Sequence, residues 1–258
     1  MPFESPRARK ELSRFFKPPP AAVRSVLGMN GTNGMQDIPD DTYSGASAHP
    51  APRAGAEPPR AAPSAHPSPP ISALLAASAE AALPVLRAVR EDQLARPTPC
   101  AEYDVRALLN HLFHVVVAFQ TLAAKKDADF SRTPDRLGEY GTQWPDRFAA
   151  ETARLVEAWA APGAEDGLTG GMNLPARTVG AMVLLDLTVH GWDVARATGQ
   201  PYVPADGCVA ELRALVAQMG PTARKMNVFA EPLPVPPGAG DLDVLLAETG
   251  RDPQWTAG

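Results

Sequence analysis

The chain has 258 residues, with 24 Lys and Arg against 29 Asp and Glu, for a formal net charge of −5. That acidic balance excludes the basic footprint of a nucleic-acid-binding surface. Two cysteines, Cys100 and Cys208, are too few for a disulfide framework and read as small apolar side chains with free thiols.

Residues 1–70 hold roughly half of the 29 prolines and read as a Pro/Ala-rich tail. Such a segment cannot bury enough apolar area to offset its chain entropy, so disorder is expected. Arg7 to Phe16 has the makings of a short basic helix, but its apolar face is too short for stable interfacial binding. His49 and His66 fall in this segment and read as solvated. The Arg7, Arg9, Lys10, Arg14 and Lys17 charges are followed by Pro18-Pro19-Pro20, where a secretory leader needs an apolar core. No run reaches the roughly 18 uninterrupted apolar residues that span a bilayer. The expectation is a cytoplasmic protein with no membrane partner.

From Ile71 the texture becomes helical. Leu74, Leu75, Ala81, Ala82, Leu86 and Val89 recur at helical spacing over Ser72 to Val89, with Pro84 as a candidate kink. Asp104 suits the N-cap of a helix to about Ala124. A charged loop follows, from Lys125 to Gly141. Trp144, Phe148, Leu155 and Trp159 mark the buried stripe of a third helix, which starts near Thr142 or Gln143 and stops at Ala161-Pro162-Gly163. A glycine-rich loop spans Gly167 to Asn173, with Gly170-Gly171 as turn chemistry. Pro175 opens a fourth helix to about Thr198, with Gly199 as its C-cap. Val209 to Met219, capped by Asp206, and the short Leu242 to Glu248 complete an all-α pattern without β-alternation. Residues 71–258 are therefore expected to form one helical domain. Arg224 and Lys225 read as surface cations.

Two apolar helical runs carry ionisable side chains. Val179 to Val194 contains Asp186 and His190, four residues apart and hence on one helix face. Val105 to Phe119 contains His111 and His114. Ionisable groups on a buried face must be paired, hydrogen-bonded or metal-bound. His111, Asp186 and His190, drawn from facing helices, make a three-ligand metal set with an open fourth position. Zinc is the default; nickel, iron(II) and manganese remain open by ligand type. His114 competes with His111 as the third ligand. The rival reading is a plain Asp–His pair holding helices together. Asp193 suits either an acceptor for a ligating histidine or a salt bridge with Arg196 or Arg106.

Three strings then carry a family resemblance: T-P-C-A-E-Y-D-V-R-A-L-L-N-H, ending at His111; D-L-T-V-H-G-W-D-V-A-R-A-T-G, from Asp186; and L-L-A-E-T-G-R-D-P-Q-W, ending at Trp255. Over about Ile71 to Trp255 the chain resembles actinobacterial metal-binding proteins similar to the metal-binding domain of mycothiol-dependent maleylpyruvate isomerase, in the DinB-like superfamily. The resemblance implies a DinB-like four-helix bundle with extra short C-terminal helices. It implies a divalent metal on His111, Asp186 and His190, and mycothiol as a thiol co-substrate. Two positions depart from the pattern: Asp186 stands where glutamate is usual, and Tyr103 where tryptophan is usual. Aspartate is one methylene shorter and reaches less far. The chain is also expected to lack the large separate C-terminal domain of the isomerase.

The expected function is a metal- and thiol-dependent transferase or isomerase acting on a small electrophile. The alternatives are a non-catalytic metal- or thiol-responsive module and a degenerate bundle without metal. The pattern leaves room for a homodimer.

Overall fold

The computed structural model describes residues 68–170, 173–205 and 207–257. The expectations for the tail, for its basic helix, for His49 and His66, for the Asp206 cap and for Gly171 lie outside the described residues.

The first helix, α1 (Ile71–Arg87), runs through Pro84 to Arg87 and ends as Ala88 N–H bonds back to Pro84 O. The next, α2 (Val105–Ala123), starts where the Asp104 carboxylate accepts Ala107 N–H at 2.8 Å. This helix is long and apolar enough to cross a membrane by composition. Here it is the core member of the bundle, with Leu108, Leu112, Phe113, Val116 and Phe119 at 0–1% exposure. The polar loop after it contains a short helix, α3 (Arg136–Tyr140), and α4 (Trp144–Ala160) follows a 3₁₀ turn at Gly141–Gln143. Phe148, Leu155 and Trp159 of α4 are buried as the stripe requires, whereas Trp144 is only half-buried.

The fourth member is not one uniform helix. It comprises α5 (Ala176–Leu185), a π-helical turn (Asp186–His190) and α6 (Gly191–Thr198), ending at Gly199 with φ +74°. Helices α1 and α2 both pack on α4, and the α5–α6 segment closes the bundle against α1 and α2. The chain is thus an all-α, DinB-like bundle, with no strand among the described residues beyond two isolated bridges. A later helix, α7 (Cys208–Lys225), packs on α5 and α1, with the Cys208 thiol directed at Leu74 O, 3.4 Å away. The last, α8 (Asp241–Glu248), packs on α7.

Close helix approach at Gly180 shows how tightly the bundle is set. A Cβ there would lie 2.7 Å from Ile71 Cγ2 and 3.0 Å from Trp159 Cζ3. Gly180→Ala is expected to lower stability by about 1–3 kcal/mol through overpacking, despite alanine's better helix propensity. Urea unfolding checks this; an unchanged midpoint would mean the three helices separate freely.

Asp135 organises the α2–α3 corner. Its carboxylate accepts from Gly138 N at 3.1 Å, Asn110 Nδ2 at 2.9 Å and Arg106 Nη2 at 3.0 Å. Burial pushes this carboxyl up, but the bonds from Gly138, Asn110 and Arg106 outweigh it and hold it below the ordinary aspartate value of 3.8. A depressed folded pKa stabilises above that ordinary value, and the contribution is lost as pH falls through the depressed one. Asp135→Ala is therefore expected to cost about 1 kcal/mol at neutral pH, as for a lost helix cap. The difference from wild type should shrink in acid. Urea titrations at neutral and acidic pH read both.

Candidate metal centre

His111 projects from α2, and Asp186 and His190 from the two ends of the π turn. A π turn adds one residue to the helical circuit and is often found at functional sites. All five of its residues are buried. Thr188 Oγ1 lies 2.9 Å from Ser78 Oγ on α1 and pins the turn to the bundle. Gly191 permits the same approach, because a Cβ there would lie 3.2 Å from the Tyr202 ring and 3.3 Å from Ala82 Cβ.

Ligating atoms of His111, Asp186 and His190 lie within 4.8 Å of one another, all three residues buried. Asp186 Oδ1 is 3.4 Å from His111 Nε2 and 3.3 Å from His190 Nε2. Charge-assisted N–H···O bonds are usually about 2.7–2.9 Å, so these contacts are long for pairing alone. Tetrahedral coordination with bonds of about 2.0–2.1 Å spaces its donors roughly 3.3–3.4 Å apart, which matches both separations. Asp186 Oδ2 is buried without a hydrogen-bond partner, an arrangement that costs free energy unless something else meets it. These residues therefore fit a divalent ion. Although shorter than glutamate, Asp186 reaches both imidazoles.

The electrostatics divide the two histidines. Burial pushes His111 down, favouring the neutral imidazole that a metal requires. Burial also lowers His190, but its hydrogen bonds to Asp186 and Asp193 outweigh that and raise it. Asp186 is pushed up by burial, yet the two imidazoles hold it below the usual carboxylate range. Tyr103 stacks on His111 with ring centroids 5.3 Å apart, and the His111 and His190 rings meet edge to face at 5.2 Å.

Asp193 makes both kinds of contact weighed for it: it accepts from a histidine, and its salt bridge is to a cation that the sequence reading did not name. Its Oδ2 accepts from His190 Nδ1 at 2.8 Å, leaving Nε2 toward Asp186. Its salt bridge is with Arg251, whose Nε lies 3.0 Å from both carboxylate oxygens. Neither Arg196 nor Arg106 fills that place. Arg106 binds Asp135, and Arg196 lies over the Trp192 ring and donates to Pro253 O. The Asp193 side chain is fully buried and that of Arg251 is 11% exposed. Burial opposes both charges, and each is stabilised chiefly by the other: Asp193 is held below, and Arg251 above, its ordinary value.

His114 is not part of the ligand group. Its ring meets Phe130 edge to face at 5.6 Å, three residues round α2 from the site. Cys100 is a free thiol as expected, and it lines the same site. Its sulfur, His190 and Asp193 offer atoms within 4.8 Å of one another. Arg251 already supplies the positive charge on Asp193 there, so this second cluster is not a vacant cation site. Burial pushes the Cys100 thiol up to about 11.

The centre opens into a cavity of about 370 Å³. The turn carrying Cys100 and Tyr103 forms one wall, and residues 227–230 with 249–251 form another. This C-terminal wall, with Arg251, is what sequence reading missed. Its trace was the L-L-A-E-T-G-R-D-P-Q-W string, whose position in space no spacing could give.

The sequence profile described as the mycothiol maleylpyruvate isomerase N-terminal domain matches residues 75–195. Two proteins of Mycobacterium tuberculosis are similar to the chain: the uncharacterized protein MT0763 of strain CDC 1551 / Oshkosh and the uncharacterized protein Rv0738 of strain ATCC 25618 / H37Rv. Each is 34% identical over 178 residues, covering 65% of this chain and 90% of the relative. No solved structure matches the chain significantly.

Proposed function

Since the chain belongs to the mycothiol maleylpyruvate isomerase N-terminal domain family, we propose that it binds one divalent metal through His111, Asp186 and His190 and uses it to activate a low-molecular-weight thiol, mycothiol, for transfer to an electrophile. Zinc is the default metal for two imidazoles and one carboxylate with a position left for a ligand. The observation that carries the reading is the pair of 3.3–3.4 Å separations from Asp186 Oδ1 to the two imidazoles, with Asp186 Oδ2 buried beside them without a hydrogen-bond partner. Bound there, the ion would supply the Lewis acidity that keeps a coordinated thiol deprotonated at neutral pH.

The remaining roles fall to the protein. Asp193 orients His190, and Arg251 neutralises Asp193. Tyr103 stacks on His111. With its thiol raised to about 11, Cys100 stays protonated at neutral pH, which leaves the small molecule as the source of the nucleophilic sulfur. The reading takes residues 71–258 as the metal-binding domain, residues 1–70 as an extension, and the cytoplasm as the location.

The test uses the full chain. Metal content is quantified as isolated, and consumption of mycothiol with a small electrophile is followed before and after chelation. The expected result is about one equivalent of metal and a chelator-sensitive acceleration, restored by zinc. Activity that survives complete metal removal would overturn the reading.

A further inference from the structure

We propose that the cavity beside the metal centre accepts a neutral electrophile and discriminates against carboxylates. The proposal builds on the metal–thiol reading and names the substrate class of that site. It follows from the charges that line the cavity. Among the described lining residues, Arg251 is the one Lys or Arg, and its Nε is bound to both Asp193 oxygens at 3.0 Å. That charge is spent within the protein wall. At the centre, the charge of a divalent ion would be matched by the Asp186 carboxylate and a thiolate; without the ion, His190 lies between the Asp186 and Asp193 carboxylates, 3.3 and 2.8 Å away, which match any proton it carries. Glu102, exposed at the rim, then leaves one negative charge unmatched.

The rest of the lining is mainly apolar: Pro99, Leu185, Val189, Val228, Phe229 and Ala230. An ionised carboxylate entering this space gives up water and gains no counter-charge, which is costly. A neutral molecule of the same shape has no such penalty and gains from covering the apolar wall. A dicarboxylate is disfavoured twice and meets Glu102 on entry.

The experiment compares diethyl succinate with succinate, a pair that shares a carbon chain and differs in charge. Neither is an electrophile, so binding is read without turnover. Isothermal titration calorimetry is run on the full chain in two forms: chelated, and loaded with zinc plus saturating mercaptoethanol so that the fourth metal position is filled. The diester is expected to bind at least about tenfold more tightly in both forms. Glu102→Lys, which places a cation at the rim, is expected to raise succinate affinity at least about threefold and narrow the gap. Succinate matching or exceeding the diester in either form would overturn the proposal, as would the absence of saturable diester binding. The chelated form keeps the two readings separable. If the metal–thiol reading fails, the ordering of the two ligands there still decides this one.

Discussion

A His190→Ala chain is expected to bind zinc at least about 100-fold more weakly than wild type, beyond what loss of an outer hydrogen-bond partner costs. The fold should survive, because Asp186 keeps His111 at 3.4 Å and Asp193 keeps Arg251 at 3.0 Å. Competition against a chelating dye gives the affinity, and circular dichroism gives the fold. A folded variant that holds zinc as tightly as wild type would remove His190 from the centre. The same side chain sets a pH dependence. Its pKa is raised because two carboxylates flank it, burial notwithstanding. Without metal it therefore keeps its second proton to higher pH than an ordinary histidine. An ion must displace that proton, so zinc affinity should fall as pH drops and binding should release acid. Titration in weak buffer with a pH indicator reads this directly.

Asp193→Ala is expected to be more damaging to the protein itself. It strands the Arg251 guanidinium, 11% exposed, without its counter-charge. Removing one partner of a buried ion pair typically costs about 3–5 kcal/mol. That is a large part of the 5–15 kcal/mol that holds an ordinary domain together. The loss should appear as a lower urea midpoint in the metal-free chain, where zinc cannot mask it. The double variant Asp193→Ala with Arg251→Met should recover much of the loss, because neither charge is then left alone. In both variants His190 loses its Nδ1 acceptor, so zinc affinity should fall about 10–100-fold even where stability returns. If stability and affinity recover together, Asp193 acts only as a counterion.

The contrast between these two residues shows where sequence reading reached and where it stopped. Helix extents were legible because their signals are local: Asp104 caps α2 as its position suggests, and Gly199 ends α6 in the left-handed conformation that glycine adopts freely. The meeting of His111 with Asp186 and His190 was inferable because polar groups on apolar faces must find one another inside a bundle. The π turn was not legible. Its one extra residue leaves the apolar pattern intact on either side, and the i,i+4 relation of Asp186 and His190 looks the same in either geometry. Arg251 was invisible for a different reason. Asp193 needed a cation, and Arg196 was close in sequence, but Arg251 lies 58 positions away and reaches the site through the packing of α7 and α8.

That distance also bears on how the protein is made. Translation delivers Asp193 and His190 well before Arg251, so the bundle can emerge from the ribosome while residues 249–251 have yet to leave the exit tunnel. During that interval Asp193 has only His190 to balance it, and the cavity lacks the wall formed by residues 249–251. This corner of the protein is therefore completed late, only once the chain through Arg251 has left the tunnel.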